Sequence, residues 1–172
     1  MTILKPLFEN PERNFHIREL SRILGINHTT IRKYLNDLTK DGILEKRKER
    51  SNVLYKSKLT RKYLNLKLYY NLEKIRISNI IPDLEKIYDY PTIILFGSYS
   101  KALDDGKSDL DLCVISNTNK EFNTEHYEKK TGRKISIHHF TKSGFEEAKI
   151  KNPELINSIC NGIVLAGELE IL

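Results

Sequence analysis

Cysteine is scarce in this 172-residue chain: it has two, Cys113 and Cys160, both set among apolar neighbours. The count leaves no room for a disulfide framework, and the pair reads as buried thiols in a reducing cytoplasm. Long hydrophobic runs are missing too. The longest strand-like one is Ile93-Ile94-Leu95-Phe96, far short of the roughly 20 apolar residues a membrane span needs, so no membrane partner is expected. Nor does the chain open in the basic-then-apolar order of a secretory leader, since Lys5, Pro6, Glu9 and Glu12 interrupt it. What is present, 39% hydrophobic and 30% charged residues, is the balance of a globular protein.

Acidic residues are thin at one end. Residues 1–62 hold 15 Lys/Arg against 7 Asp/Glu, a net of +8, whereas residues 63–172 hold 14 against 16, a net of −2. The positive charge therefore belongs to the first third. That asymmetry suggests a polyanion-binding module joined to something with a different job.

Three amphipathic segments open the chain. The first, about Ile3 to Glu9, ends before the break at Asn10-Pro11. The second, Ile17 to Leu24, places Ile17, Leu20 and Leu24 on one face, and Gly25 stops it. Asn27 is a strong cap for a third helix, about His28 to Lys40, with Ile31, Tyr34, Leu35 and Leu38 at helical spacing. Asp41-Gly42 ends it. Ile43 to Arg50 then reads as a charged edge strand, Ser51-Asn52 as a tight turn, and Val53 to Lys56 as the returning strand.

This order resembles the winged helix-turn-helix family over residues 1–60. The resemblance implies binding of double-stranded DNA, with the second helix of the pair in the major groove and the wing on phosphate. Carried onto this chain, His28, Thr29, Thr30, Arg32, Lys33 and Asn36 face the groove, and Lys46, Lys48, Arg50 and Lys56 meet the backbone. Some winged helices pair with proteins instead, but a net of +8 over 62 residues favours nucleic acid.

Residues 61–90 read as a helical connector. Leu64, Leu68, Leu72 and Ile75 form one stripe, and Pro82 interrupts the run and starts a second helix through Tyr88. The stripe suits either core packing or a homodimer contact.

Residues 91–172 carry a second pattern. Thr92 to Phe96 is a buried strand by composition and leads into Gly97-Ser98. After a polar stretch comes Ser108-Asp109-Leu110-Asp111-Leu112, whose alternation sets Asp109 and Asp111 on one side of a sheet. Two neighbouring carboxylates repel, and burying them unpaired is costly. Mg²⁺ between them, completed by substrate phosphates, resolves the repulsion. Gly-Ser at a strand-to-helix junction offers backbone N–H groups and a hydroxyl to an anion. Together these residues suggest a nucleoside triphosphate, with phosphates on Gly97 and Ser98 and its metal on Asp109 and Asp111.

The same residues resemble the nucleotidyltransferase superfamily, which includes DNA polymerase beta and the kanamycin-modifying enzymes, and most closely its minimal branch. The resemblance covers about residues 82–172. It implies a short mixed sheet and transfer of a nucleoside monophosphate to a hydroxyl by two Mg²⁺ ions. Two departures stand out. Where the family often has a second glycine this chain has Ala102, which is small and suits a helix. Where the family has a third carboxylate, the matching strand, Lys134 to Phe140, has no acid. Ser136 or His138 falls at that place, and His138 is a weak catalytic candidate, since a neutral imidazole cannot replace a negative charge between two metal ions. Further on, Ser143 and Glu146 have capping-box spacing, Asn152-Pro153 opens a helix, and Ile163 to Gly167 reads as a final strand.

The sequence thus predicts an α+β protein: a winged helix, a helical connector and a small α/β nucleotidyltransferase-like domain. The leading function is a cytoplasmic DNA-binding regulator whose second domain senses or once used a nucleotide. The alternatives are an active Mg²⁺-dependent nucleotidyltransferase and an antitoxin that modifies or masks a partner.

Overall fold

In the computed structural model, which describes residues 2–50 and 52–169, the chain divides into two compact units, Met1–Tyr70 and Asn71–Leu172.

The first unit begins with a 3-10 turn, Thr2–Leu4, and α1, Lys5–Glu9. A two-residue strand, β1 (Phe15–His16), leads directly into α2, Ile17–Leu24. Gly25 ends α2 in the left-handed region, φ 65°, a conformation that costs a residue with a Cβ about 1–2 kcal/mol. The Asn27 side chain accepts the Thr29 N–H at 2.9 Å and so starts α3, His28–Lys40. Strands β2 (Leu44–Glu49) and β3 (Asn52–Ser57) pair antiparallel, and β1 adds to the free side of β3. Leu7, Phe8, Phe15, Leu20, Ile31, Leu35 and Tyr55 fill the core beneath the sheet. This succession of three helices and a three-stranded sheet ending in a hairpin is a winged helix-turn-helix.

Three details differ from the sequence reading. Tyr34 is half exposed rather than part of the apolar face, because Ile31 and Leu35, one turn apart, take the buried positions. β1 is too short to show alternation in sequence. Of the expected turn, Asn52 already belongs to β3, Arg50 has φ 52°, and Ser51 lies outside the described residues.

The segment expected as a separate connector is shared between the units. Helix α4, Arg61–Ser78, contributes Tyr63, Leu64 and Tyr70 to the first core and Leu72 and Ile75 to the second. It ends at Asn79, which is left-handed at φ 65°, and α5 runs Ile80–Tyr88. Pro82 lies inside the first turn of α5, where its missing N–H costs nothing, so the break is set by Asn79 and not by the proline.

In the second unit a four-stranded mixed sheet has the order β6-β5-β4-β7. Its strands are β4 (Thr92–Phe96), β5 (Leu110–Ile115), β6 (Ile135–Phe140) and β7 (Ile163–Ala166). β4 runs antiparallel to β5 and β7, and β6 runs parallel to β5. Helix α6, Gly97–Ser100, follows β4 at once; α7, Glu125–Thr131, precedes β6; α8, Lys142–Lys151, and α9, Pro153–Cys160, follow it. Both faces of the sheet are covered. Ile93, Leu95, Leu112 and Val114 pack with Ile80 and Leu84 on one side, while Ile94, Phe96, Cys113 and Ile115 pack with Phe145, Ile156 and Ile159 on the other. This alternation sends Asp111 to the α8/α9 face, directly across from Phe96. Thr141, not Ser143, caps α8, accepting the Gly144 N–H at 3.0 Å. Asn152 caps α9 as its Asn-Pro pair implied.

Candidate functional site

The turn after β4 is built around Gly97. Its φ is 71°, and a Cβ placed there would lie 2.5 Å from Asp111 Oδ2. The carboxylate therefore rests against the bare Cα, at a distance no other residue permits. Beyond it, the single helical turn of α6 has its carbonyls occupied at the far end: Ser98 O accepts from Lys101 N and Leu103 N, and Gly97 O from Ser100 Oγ.

Ala102 corrects the sequence reading. It lies in the left-handed region, φ 55°, and is buried at 1% exposure. The position is a turn, not helix, in a backbone conformation that favours glycine.

Asp109 and Asp111 are delivered by a self-capped loop and by β5. In the loop, Asp105 Oδ1 accepts from Lys107 N, Ser108 N and Ser108 Oγ at 2.9–3.0 Å, which holds the Asp105 carboxyl below its ordinary value, the Lys107 N–H being the main cause. Ser108, the first residue of the acidic motif, is thus a structural cap. Asp109 follows, exposed, one residue before β5; Asp111 is half-buried. Burial raises the Asp111 carboxyl above its usual range; His138 pulls it down and Asp109 pushes it up.

Strand β6 completes the surroundings. Ser136 is the register partner of Asp111 and His138 that of Cys113, so both share the Asp111 side of the sheet. Their side chains approach to 3.4 Å (Oγ to Nε2), and the His138 ring meets Phe96 edge-on, 5.2 Å between centroids. Gly97, Ser136 and His138 thus lie around Asp111, Asp109 is near enough to affect its charge, and no acid stands on β6. Glu128 does not fill the gap: its Oε1 accepts from Ile135 N at 3.0 Å and Thr124 Oγ1 at 3.1 Å, holding the start of β6. Among the described residues no group of three His, Cys, Asp or Glu gathers as a metal cage. Two carboxylates beside a glycine turn are of the chemistry that fits one hard cation that keeps waters and takes the rest of its oxygens from elsewhere.

Sequence reasoning missed a buried polar group beneath the turn. Asn71 Nδ2 donates to Tyr99 O (3.0 Å) and Asp104 Oδ1 (2.8 Å), and Asp104 pairs with Arg133 at 3.6 Å. Asn71 lay on a helix read only for its leucine stripe. Cys113 is buried and free, its thiol pushed up to about 12, chiefly by burial and further by Cys160.

In the first unit His28, Thr29, Thr30, Arg32 and Lys33 are exposed on α3. Thr29 Oγ1 also donates to Asn27 Oδ1, and Asn36, half-buried, accepts from the Tyr55 hydroxyl at 3.2 Å. Lys46, Lys48 and Arg50 are exposed on the wing. Lys56 is different, because its Nζ lies 2.6 Å from Glu12 Oε2 and that bond raises its pKa. Residues not anticipated join this surface: His16, Arg18 and Arg22 line a depression with His28, Arg32 and Asn52. Among the described residues no helix is long and apolar enough to cross a membrane.

Residues 74–165, just over half the chain, match the nucleotidyltransferase domain, and the chain belongs to that family. No curated protein sequence matches it. Among solved structures it is similar to reduced HlyU from Vibrio cholerae N16961, at 25% identity over 42% of this chain and 76% of that one, TM-score 0.36. It is also similar to Sso10a-2, a DNA-binding protein from Sulfolobus solfataricus, at 28% identity over 51% and 90%, TM-score 0.37.

Proposed function

We propose that this protein is a DNA-binding transcriptional regulator whose nucleotidyltransferase unit binds a nucleoside triphosphate with a single Mg²⁺ and transfers little or nothing. The observation that carries the reading is the pair Ser136 and His138 on β6, standing beside Asp111 where a third carboxylate would complete a two-metal site. Asp109 and Asp111 would hold the ion, and Mg²⁺ when bound would neutralise phosphate charge. The chain's own contribution is positional: Gly97 lets Asp111 close onto the turn, and α6 presents N–H groups to the phosphates. At an effective dielectric of about 20, each pair of unit charges 4 Å apart is worth about 4 kcal/mol. A carboxylate lying between two divalent ions is worth several times that, and neither a hydroxyl nor a neutral imidazole supplies it.

DNA binding is supported by the net +8 of residues 1–62 and by the exposure of Arg32, Lys33, Lys46, Lys48 and Arg50 on helix and wing. A second reading, an active nucleotidyltransferase guided by the winged helix, is favoured by the intact Gly97-Ser98 and Asp109-x-Asp111 arrangement; His138 would then receive the acceptor's proton. Incubation with α-labelled nucleoside triphosphates, Mg²⁺, duplex DNA and cell extract separates the two. Label that stays exchangeable is expected. Covalent transfer at ordinary enzymatic rates, about 1 s⁻¹ or faster, overturns the sensor reading in favour of the enzyme.

A further inference from the structure

The nucleotide turn is a poor candidate for holding its own shape. α6 is four residues long, and a single helical turn is unstable by itself because nucleation is unfavourable. Two residues beyond it stands a strained residue, Ala102 at φ 55°. Something outside the turn must fix it, and the buried group beneath it is in place to do so. Asn71, 1% exposed, spends one amide group on two acceptors: Tyr99 O at 3.0 Å, within the turn, and Asp104 Oδ1 at 2.8 Å, two residues past Ala102. Asp104 in turn pairs at 3.6 Å with Arg133, which sits two residues before β6.

We propose that Asn71, with Asp104 and Arg133, is a positioning brace that presets the Gly97–Ser98 turn for triphosphate and fixes it relative to the strand that carries Ser136 and His138. The inference rests on the nucleotide reading above and deepens it. Stability alone is a weak reason for such a group. A buried ion pair often does no better than apolar packing, and here Asn71 Oδ1 and Arg133 Nε have no hydrogen-bond partner among the described residues. What the arrangement supplies is direction: three segments that each carry part of the site, the turn, the acidic loop and β6, are referred to one buried amide. Asn71, on α4, lies outside the stretch, 74–165, that matches the family, while Asp104 and Arg133 lie within it.

The test uses the full chain and the Asn71→Ala variant. Binding of each of the four nucleoside triphosphates with Mg²⁺ is measured by calorimetry, and amide hydrogen exchange is followed residue by residue without nucleotide. A loss of affinity of about tenfold or more is expected in the variant, since small misplacements at a site are costly. Exchange at Ser98 and Tyr99 should quicken by a similar factor while the amides of β4 and β5 keep their rates. Parent-like affinity in a folded variant overturns the brace, and so does exchange that rises uniformly over the sheet, which marks a merely structural role. If Asn71→Ala does not fold, Asp104→Asn is read the same way, and unchanged affinity and exchange there overturn it. If the parent binds no triphosphate, the nucleotide reading falls by itself, and local against uniform exchange still decides the brace.

Discussion

At Gly97 a methyl group would meet Asp111 Oδ2 at 2.5 Å while the backbone stays at φ 71°. Gly97→Ala therefore combines left-handed strain of about 1–2 kcal/mol with displacement of the Asp111 carboxylate, the proposed metal ligand. A fall in Tm of roughly 2–8 °C is expected for a chain of this size, together with loss of Mg²⁺–nucleotide binding; a variant that melts lower yet binds normally would show that the turn and Asp111 are not coupled. Asp111 itself is expected to weaken the fold. Its carboxyl is raised chiefly by burial, so the folded state favours the protonated form more than the unfolded chain does. The penalty is absent below the ordinary value near 3.9, grows as pH rises through the folded pKa, and is complete above it. Asp111→Asn should thus melt higher than the parent at pH 7 without metal, with the advantage fading as pH approaches 4. No advantage at pH 7 would mean that Asp111 is better solvated than its burial implies.

Among the elements, α3 and the wing carry the nucleic-acid reading. If Arg32 and Lys33 each neutralise a phosphate, Arg32→Ala and Lys33→Ala should each reduce the slope of log affinity against log salt by about 1. Lys56→Ala should change it least, since Glu12 already meets that charge. Equal effects at all three positions would show that net charge, and not the α3 face, governs binding. Elements with a strong apolar period were legible in the sequence to the residue: α2 is Ile17–Leu24 and α3 is His28–Lys40, because capping by Asn27 and termination by Gly25 are local events. Tertiary choices were not. Pro82 looked like a break although proline is welcome in a first turn, and the real break is a left-handed Asn79 that no periodicity announces. At the site, Asp109 and Asp111 were proposed from strand alternation and Gly97 from its place at a strand-to-helix junction, whereas Asn71 could not be singled out, because its partners Tyr99 and Asp104 lie 28 and 33 residues away.

Taken as a whole molecule, the chain joins a basic winged helix-turn-helix to a nucleotidyltransferase-family domain with no acid on β6. In the single-metal account, two carboxylates and the substrate phosphates serve one ion, and a second ion lacks the protein carboxylate that would bridge it to the first. Ser136, the register partner of Asp111, is the place where one added acid should change the count. The most direct measurement is the stoichiometry of Mn²⁺ bound in the presence of a non-hydrolysable nucleoside triphosphate, read by electron paramagnetic resonance on the parent and on Ser136→Asp. One ion per chain is expected for the parent, with tighter binding and a second ion in the variant. Two ions held equally well by the unaltered protein would contradict the single-metal account and restore the enzyme.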